Sequence, residues 1–289
     1  MIKMKLFIGL LAITLCQEML ITREKTEKLK ATVDWEVQDY ENNVFHGWTI
    51  EEFDAMLGYI KRNKEVKLES VADDTVIPLS IDWSKANCDH GVKNQGSCGS
   101  CWAFAIVGML SYRCCAMSND KGWLSPQELV SCDDDNYGCR GGDLFTPIDY
   151  IKNNKGLVPD ECFPYKAKDL PCPTRCADGS DWSAAHVCNC ARYLDCDTIS
   201  KMKHCLVTGP ATFGFDVEES FMYYKSGIYK CDGNKFRGRH AVVAMGYSDT
   251  PECHYVAKNS WGNAWGDKGY FKIACNTCEI DGGIACERF

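Results

Sequence analysis

Cysteine is the residue that most restricts how this chain can fold. Twenty occur in 289 residues, and the chain begins with Met1-Ile2-Lys3-Met4-Lys5 ahead of an apolar run from Leu6 to Leu15. Lysines before a short apolar run, with Thr14 and Cys16 as small residues before a cut, predict a secretory signal peptide over residues 1–16. That run is too short to cross a bilayer and no second one follows, so no membrane span is expected. An exported chain folds under oxidising conditions, where thiols pair. Setting aside Cys16 and, for a chemical reason given next, Cys101 leaves eighteen of the twenty cysteines, an even number compatible with nine disulfides. Cys172-Pro-Thr-Arg-Cys176 and Cys275-Asn-Thr-Cys278 have the spacing of zinc-ligand halves, but the finger spacing to His is missing. No metal and no other cofactor is expected.

Cys101 lies in Gln95-Gly96-Ser97-Cys98-Gly99-Ser100-Cys101-Trp102-Ala103-Phe104. From Trp102 to Met117 the chain is mostly apolar, with Phe104, Val107, Leu110 and Cys114 recurring every three or four residues, the pattern of a helix packed into a core. Cys101 is then at a helix start, where free amides and the helix dipole favour a thiolate. A protonated His beside it would lower the thiol pKa further. The same amides can hold an oxyanion, and Gln95 supplies a side-chain donor from the loop that delivers the thiol. The competing readings are a structural disulfide, which is expected for Cys98, and a redox pair of Cys98 with Cys101.

Residues 17–76 form a separate segment, free of cysteine after the leader and rich in Lys and Glu. Thr49 is placed to cap a helix begun by Glu51 and Glu52, with Phe53, Met56, Leu57 and Ile60 on one stripe. A segment this small has no core of its own and must fold against something else. Val71-Ala72-Asp73-Asp74-Thr75 reads as exposed and cleavable ahead of Ile77-Pro78. Residues 77–289 are long enough for one large domain or two lobes around a cleft. The first half is helix-biased: Ser125 caps a helix with Pro126 in its first position and Glu128 closing a capping box, and another helix is predicted from Asp143 to Asn153. The second half is strand-biased at Ala211–Val217, His240–Tyr247, Cys253–Lys258 and Gly269–Ala274. Helices followed by strands give an α+β architecture. The net charge of −8 and pI near 5.3 argue against a nucleic-acid partner or an anionic membrane surface.

Two residues of the strand-rich half complete a chemical set. His240 opens one predicted strand and Asn259 follows another, and a nucleophilic thiol needs a base whose ring is held by a partner. With these residues the sequence resembles the papain family of cysteine peptidases, whose nucleophile sits in Cys-Gly-Ser-Cys-Trp with its His and Asn roughly 130–150 residues downstream. His240 falls inside that window and Asn259 slightly beyond it, as a loop insertion would produce. The resemblance covers the whole chain and is closest to the cathepsin B type, through Trp35, Asn42 or Asn43, Phe45, the stretch Glu51 to Gly58, and Ile77-Pro78 at the mature start.

The resemblance implies a papain-like fold, with a helical left lobe and a β-barrel-like right lobe around a cleft, made as a zymogen with residues 17–76 as inhibitory prosegment. It implies Cys101 as nucleophile, His240 as general base and acid, Asn259 orienting the imidazole, and Gln95 with the Cys101 amide as oxyanion hole. Trp261 would shield the His–Asn hydrogen bond, and Gly141 and Gly142 would dock an extended peptide through its main chain. It pairs Cys98 with Cys139, Cys88 with Cys115, Cys132 with Cys172, and Cys162 with Cys176, and leaves ten cysteines unassigned. Partners are protein or peptide substrates and the chain's own prosegment. The product is expected as a monomer in the secretory pathway, in a lysosome-like vesicle or released.

Two departures from the cathepsin B pattern shape expectation. The region from Cys162 to Cys172, where that type carries a loop with paired histidines, is short and holds no His, which implies an open cleft and endopeptidase action. Gly283 aligns with the acidic residue at the floor of the S2 pocket, which implies an apolar P2 preference; a slip of one or two residues would bring in Asp281 instead. Glu279 stands where the family usually has Gly. The rival readings are a disulfide-rich binding protein on a silent peptidase scaffold and a thiol-disulfide oxidoreductase.

Overall fold

The computed structural model describes residues 19–61, 68–70, 76–118 and 122–287. The leader expected over 1–16 and the cleavable run at 71–75 lie outside the described residues.

The N-terminal segment is short pieces of structure laid over a larger body. Helix α1 (Arg23–Thr32) starts where the Thr22 side chain accepts from the Lys25 amide. Strand β1 (Glu36–Val37) pairs with a strand of the body at Tyr224–Ser226. Helix α2 (Ile50–Asp54) carries the capping box between Thr49 and Glu52. Its predicted apolar stripe to Ile60 is cut short after one turn. Beyond Leu57 the backbone turns outward to the body, with the Tyr59 amide bonded to the Arg239 carbonyl and that of Ile60 to the Gly142 carbonyl.

The helical lobe follows strand β2 (Ser80–Asp82). Helix α3 (Cys101–Ser118) is buried on all sides from Cys101 to Cys115, so it forms the spine of the lobe rather than a two-faced surface helix. Near its end, buried Arg113 donates to the carbonyls of Cys205, Gly209, Pro210 and Cys286. Helix α4 (Pro126–Cys132) is capped by Ser125 as expected. Glu128 does not close a box, because its carboxylate is taken by the Val158 amide, Tyr150 and His186. Helix α5 (Thr146–Asn154) starts later than predicted, since Asp143 stays outside and accepts from the Phe145 and Thr146 amides at 2.7 and 2.8 Å.

The second lobe is built from strand β3 (Arg192–Asp195), helix α6 (Ile199–Val207) and strands β4 (Ala211–Glu218), β5 (Tyr224–Ser226), β6 (Ile228–Tyr229), β7 (Phe236–Ser248), β8 (His254–Lys258), β9 (Tyr270–Ala274) and β10 (Asp281–Glu287). The main sheet runs β3-β10-β4-β7-β8-β9-β6, with β2 also on β7. His240 lies inside β7, not at its start. This is an α+β fold of two lobes, each with its own apolar core. Leu20, Leu29, Trp35, Phe45, Phe53 and Met56 of the N-terminal segment are buried in the core of the β lobe. Trp35 packs on Tyr224 and Tyr229, and Phe45 and Phe53 meet Trp261 edge-on at 5.5 and 5.3 Å.

The disulfides Cys88–Cys115, Cys98–Cys139, Cys132–Cys172 and Cys162–Cys176 are present. Five more join Cys114–Cys188, Cys190–Cys286, Cys196–Cys205, Cys231–Cys278 and Cys253–Cys275. Each such bond typically contributes about 2–4 kcal/mol, chiefly by restricting the unfolded chain. Cys101 is the one free cysteine among the described residues. A redox pair with Cys98 is thereby ruled out, since that sulfur is bonded to Cys139.

Candidate active site

The cleft between the lobes converges on the first residue of α3. Cys101 is fully buried, and the amides of Ala241, Gly58, Trp102 and its own residue reach its sulfur. In this closed state burial works against the thiolate expected from the sequence. Burial pushes the thiol pKa up to about 11, outweighing those amides. His240, next to Ala241 on β7, is equally buried, and desolvation lowers it to about 4 against the opposing pull of Asn259. In the closed state burial thus disfavours charge on both groups.

Asn259 fixes the tautomer of that histidine. Its Oδ1 accepts from the Ser260 amide at 2.8 Å and lies 2.7 Å from His240 Nε2. The oxygen is thus the acceptor, Nε2 carries the proton, and Nδ1 keeps its lone pair with no hydrogen-bond partner. Trp261 covers the ring, its centroid 4.7 Å away and tilted by 34°. Ser260 does more than separate Asn259 from Trp261. Its hydroxyl donates to Gln95 Oε1 at 2.7 Å and its carbonyl accepts from the Gln95 amide at 2.8 Å. This turns Gln95 Nε2 toward the cleft, where it donates to the carbonyls of Cys98 at 2.8 Å and Met56 at 2.9 Å. Ser260, between the expected site residues Asn259 and Trp261, was given no role from the sequence. A hydroxyl between two expected site residues was the available signal.

The N-terminal segment runs through this cleft as an extended peptide. The Gly142 amide donates to the Gly58 carbonyl at 2.9 Å and the Ile60 amide to the Gly142 carbonyl at 2.8 Å, a parallel bridge. A Cβ on Gly141, where φ is +117°, would sit 2.7 Å from the Gly58 oxygen. One on Gly58 would sit 1.8 Å from the Gly99 oxygen, so the segment passes the thiol with no side chain.

Tyr59 next to it fills a pocket on the β-lobe side. A Cβ on Gly214 or Gly282 would lie 1.9 or 2.4 Å from Tyr59 atoms, and Leu144 closes the wall beside Gly282. The Tyr59 hydroxyl donates to Asp281 Oδ1 at 2.9 Å, and the Arg239 guanidinium lies 5.4 Å from the ring centre. Gly283 does not form this pocket. Its carbonyl is bonded to the Cys196 amide and a Cβ there would strike Cys196, because β10 passes behind the pocket wall by that point. The basis for an apolar P2 preference, a pocket floor at Gly283 without a carboxylate, is therefore corrected: Asp281 stands in the pocket.

The segment from Cys162 to Cys172 is held against the helical lobe. Tyr165 bonds Ser100 and donates to the Gln95 carbonyl, the Lys166 amide donates to Gln127, and Asp169 accepts from the Cys139 amide.

Residues 77–287 match the family model described as "Papain family cysteine protease". Cathepsin B-like CP3 of Giardia intestinalis is 35% identical over 252 residues, 82% of this chain and 84% of that protein. Among solved structures, proCathepsin B S9 from Trypanosoma congolense superposes with a TM-score of 0.81 at 22% identity, covering 93% of this chain and 99% of the other, a likeness of fold. Procathepsin L2 from the larval midgut of Tenebrio molitor gives a TM-score of 0.76 at 28% identity, covering 92% and 88%. A free thiol at a buried helix start, an Asn-held imidazole and a peptide lying across both agree with that match over three quarters of the sequence, and the chain belongs to the papain family of cysteine proteases.

Proposed function

We propose that the chain is the zymogen of a cysteine endopeptidase, with Cys101 as nucleophile, His240 as base and acid, Asn259 orienting the imidazole, and Gln95 with the Cys101 amide receiving the oxyanion. The observation that carries this is the bond from Gln95 Nε2 to the Met56 carbonyl beside free Cys101. A peptide carbonyl occupies the donor that a scissile carbonyl would use.

Once residues 17–76 are removed, the cleft opens to water and substrate. His240 Nδ1 takes the thiol proton as Sγ attacks the carbonyl carbon, and the oxyanion is held by Gln95 Nε2 and the Cys101 amide. Collapse expels the amine, which takes the proton from His240 and leaves an acyl-enzyme. Water, deprotonated by His240, attacks the thioester, releasing the acid and restoring the thiol. Gly141 and Gly142 dock the substrate main chain, as Gly142 docks the prosegment here. The short Cys162–Cys172 segment, without His and bonded to the helical lobe, supports an open cleft and cleavage within chains. The leader supports entry into the secretory pathway, and the family match beginning at residue 77 supports a mature start there.

Labelling by an epoxide inhibitor such as E-64, retained in the matured enzyme and abolished in Cys101→Ala, tests the reading. Absence of labelling in the unsubstituted enzyme would favour a silent scaffold. Chiefly dipeptide release from a peptide with a free C-terminus would overturn the endopeptidase assignment.

A further inference from the structure

The pocket beside Cys101 recognises a phenol and not merely a ring. We propose that Asp281 and Arg239 make the mature enzyme select tyrosine as the substrate side chain entering this pocket, the P2 residue; this rests on the peptidase reading above and names its substrate class.

The ring space is shaped by Gly214 and Gly282, where a single Cβ would collide with Tyr59. At the far end Asp281 accepts the Tyr59 hydroxyl on Oδ1. Its other oxygen is held by Arg239 at 2.9 Å. Arg239 is in turn fixed by Asp216 at 2.8 Å and by the Glu279 carbonyl at 3.2 Å. These partners all belong to the body of the enzyme, so the carboxylate stays aimed into the pocket after the prosegment leaves. Lys61, which also reaches Asp281 Oδ2, departs with the prosegment.

Each candidate side chain meets this arrangement differently. Tyrosine satisfies Oδ1 with its hydroxyl and places its ring beside the guanidinium. Phenylalanine fills the same space but leaves the half-buried carboxylate oxygen without a donor. Arginine competes for a carboxylate oxygen that Arg239 already holds, in the place Lys61 takes in the closed state, and brings a second guanidinium against Arg239. The peptide direction does not alter this, because the side chain leaving the backbone between Gly142 and the Arg239 carbonyl enters the pocket, as that of Tyr59 does.

The test uses enzyme matured from the full zymogen and three fluorogenic peptides that differ only in Tyr, Phe or Arg at P2, before a common P1 Arg. The expected kcat/KM for Tyr exceeds that for Phe by about tenfold, the effect of one hydrogen bond to a charged group, and Arg falls below Phe. In Asp281→Ala the Tyr-to-Phe ratio falls to about one, read as a ratio within the variant. Equal rates for Tyr and Phe, or Arg as best substrate, overturn the inference and leave the peptidase reading intact. Failure to cleave all three with no epoxide labelling overturns both.

Discussion

The Nε2 of Gln95 donates to the carbonyl of Met56 at 2.9 Å, so the group read as an oxyanion donor is satisfied by the protein's own prosegment. The donor is aimed by Ser260, which bonds the other end of the same amide and the oxygen of Asn259 as well. One residue thereby sets both halves of the site.

Ser260→Ala should therefore slow chemistry more than it weakens binding. Loss of its hydroxyl leaves Gln95 Oε1 buried without a donor and lets the amide swing. The expected result in the matured enzyme is a fall in kcat of about tenfold, less than the 100-fold or more of deleting an oxyanion donor, with KM within about twofold. Ser260→Thr, which keeps the hydroxyl, should recover most of the loss. Steady-state kinetics on both variants checks this, and an equal loss in the two would reduce Ser260 to packing.

Acid should loosen the prosegment through His240. Under the prosegment its pKa is about 4 because of burial, against about 6.5 for an imidazole in water. A group depressed in the closed state stabilises that state fully above the higher value and loses the contribution as pH falls through the lower one. The window is thus about pH 6.5 down to 4, and docking should weaken as pH falls through it. In a Cys101→Ala zymogen, which cannot process itself, hydrogen exchange at the Tyr59 and Ile60 amides should lose protection across this window after correction for intrinsic rates. Adding His240→Leu should hold protection steady. The thiol has a companion signature: burial raises its pKa to about 11, so iodoacetamide should modify zymogen far more slowly than matured enzyme.

Alkali should destabilise the helical lobe through His186. Its Nε2 meets Glu128 at 2.9 Å and its Nδ1 the Trp182 carbonyl at 3.0 Å. Both partners accept, so the ring fits there doubly protonated, and the hydrogen bond to Glu128 raises its pKa above the ordinary value. A raised folded pKa gives stability that is complete below about pH 6.5 and is lost as pH rises through the raised value. Thermal unfolding of Cys101→Ala zymogen from pH 5 to 9 should show Tm falling on the alkaline side. His186→Gln should flatten that decline while lowering Tm at pH 5, and an unchanged slope would exclude the pair as its source.

What the sequence made legible was local chemistry. Cys101 was readable because an apolar helix begins at that residue, and His240 and Asn259 because a thiol needs them. The four disulfide pairs suggested by resemblance are present, whereas Cys190–Cys286 and Cys231–Cys278 join segments beside β3, β6 and β10 that only the folded sheet brings together. Strands β3 and β10 and helix α6 went unread for a similar reason. Strands β3 and β10 are flanked by cysteines with distant partners, Cys190 with Cys286 and Cys278 with Cys231, while α6 is closed locally by Cys196–Cys205. The Tyr59 pocket was hidden most deeply, since it joins residues of the prosegment, β4, β7 and β10. No spacing along one chain encodes such a meeting, and an alignment displaced by two residues was enough to name Gly283 in place of Asp281.

With Phe45 and Phe53 seated against Trp261, the protein takes shape around a wall that the proposed maturation would remove. Processed enzyme carries a bare aromatic ledge where those rings stood, and its persistence depends on slow unfolding and on its cystines. Once denatured, such an enzyme would lack the rings against which that face is built here.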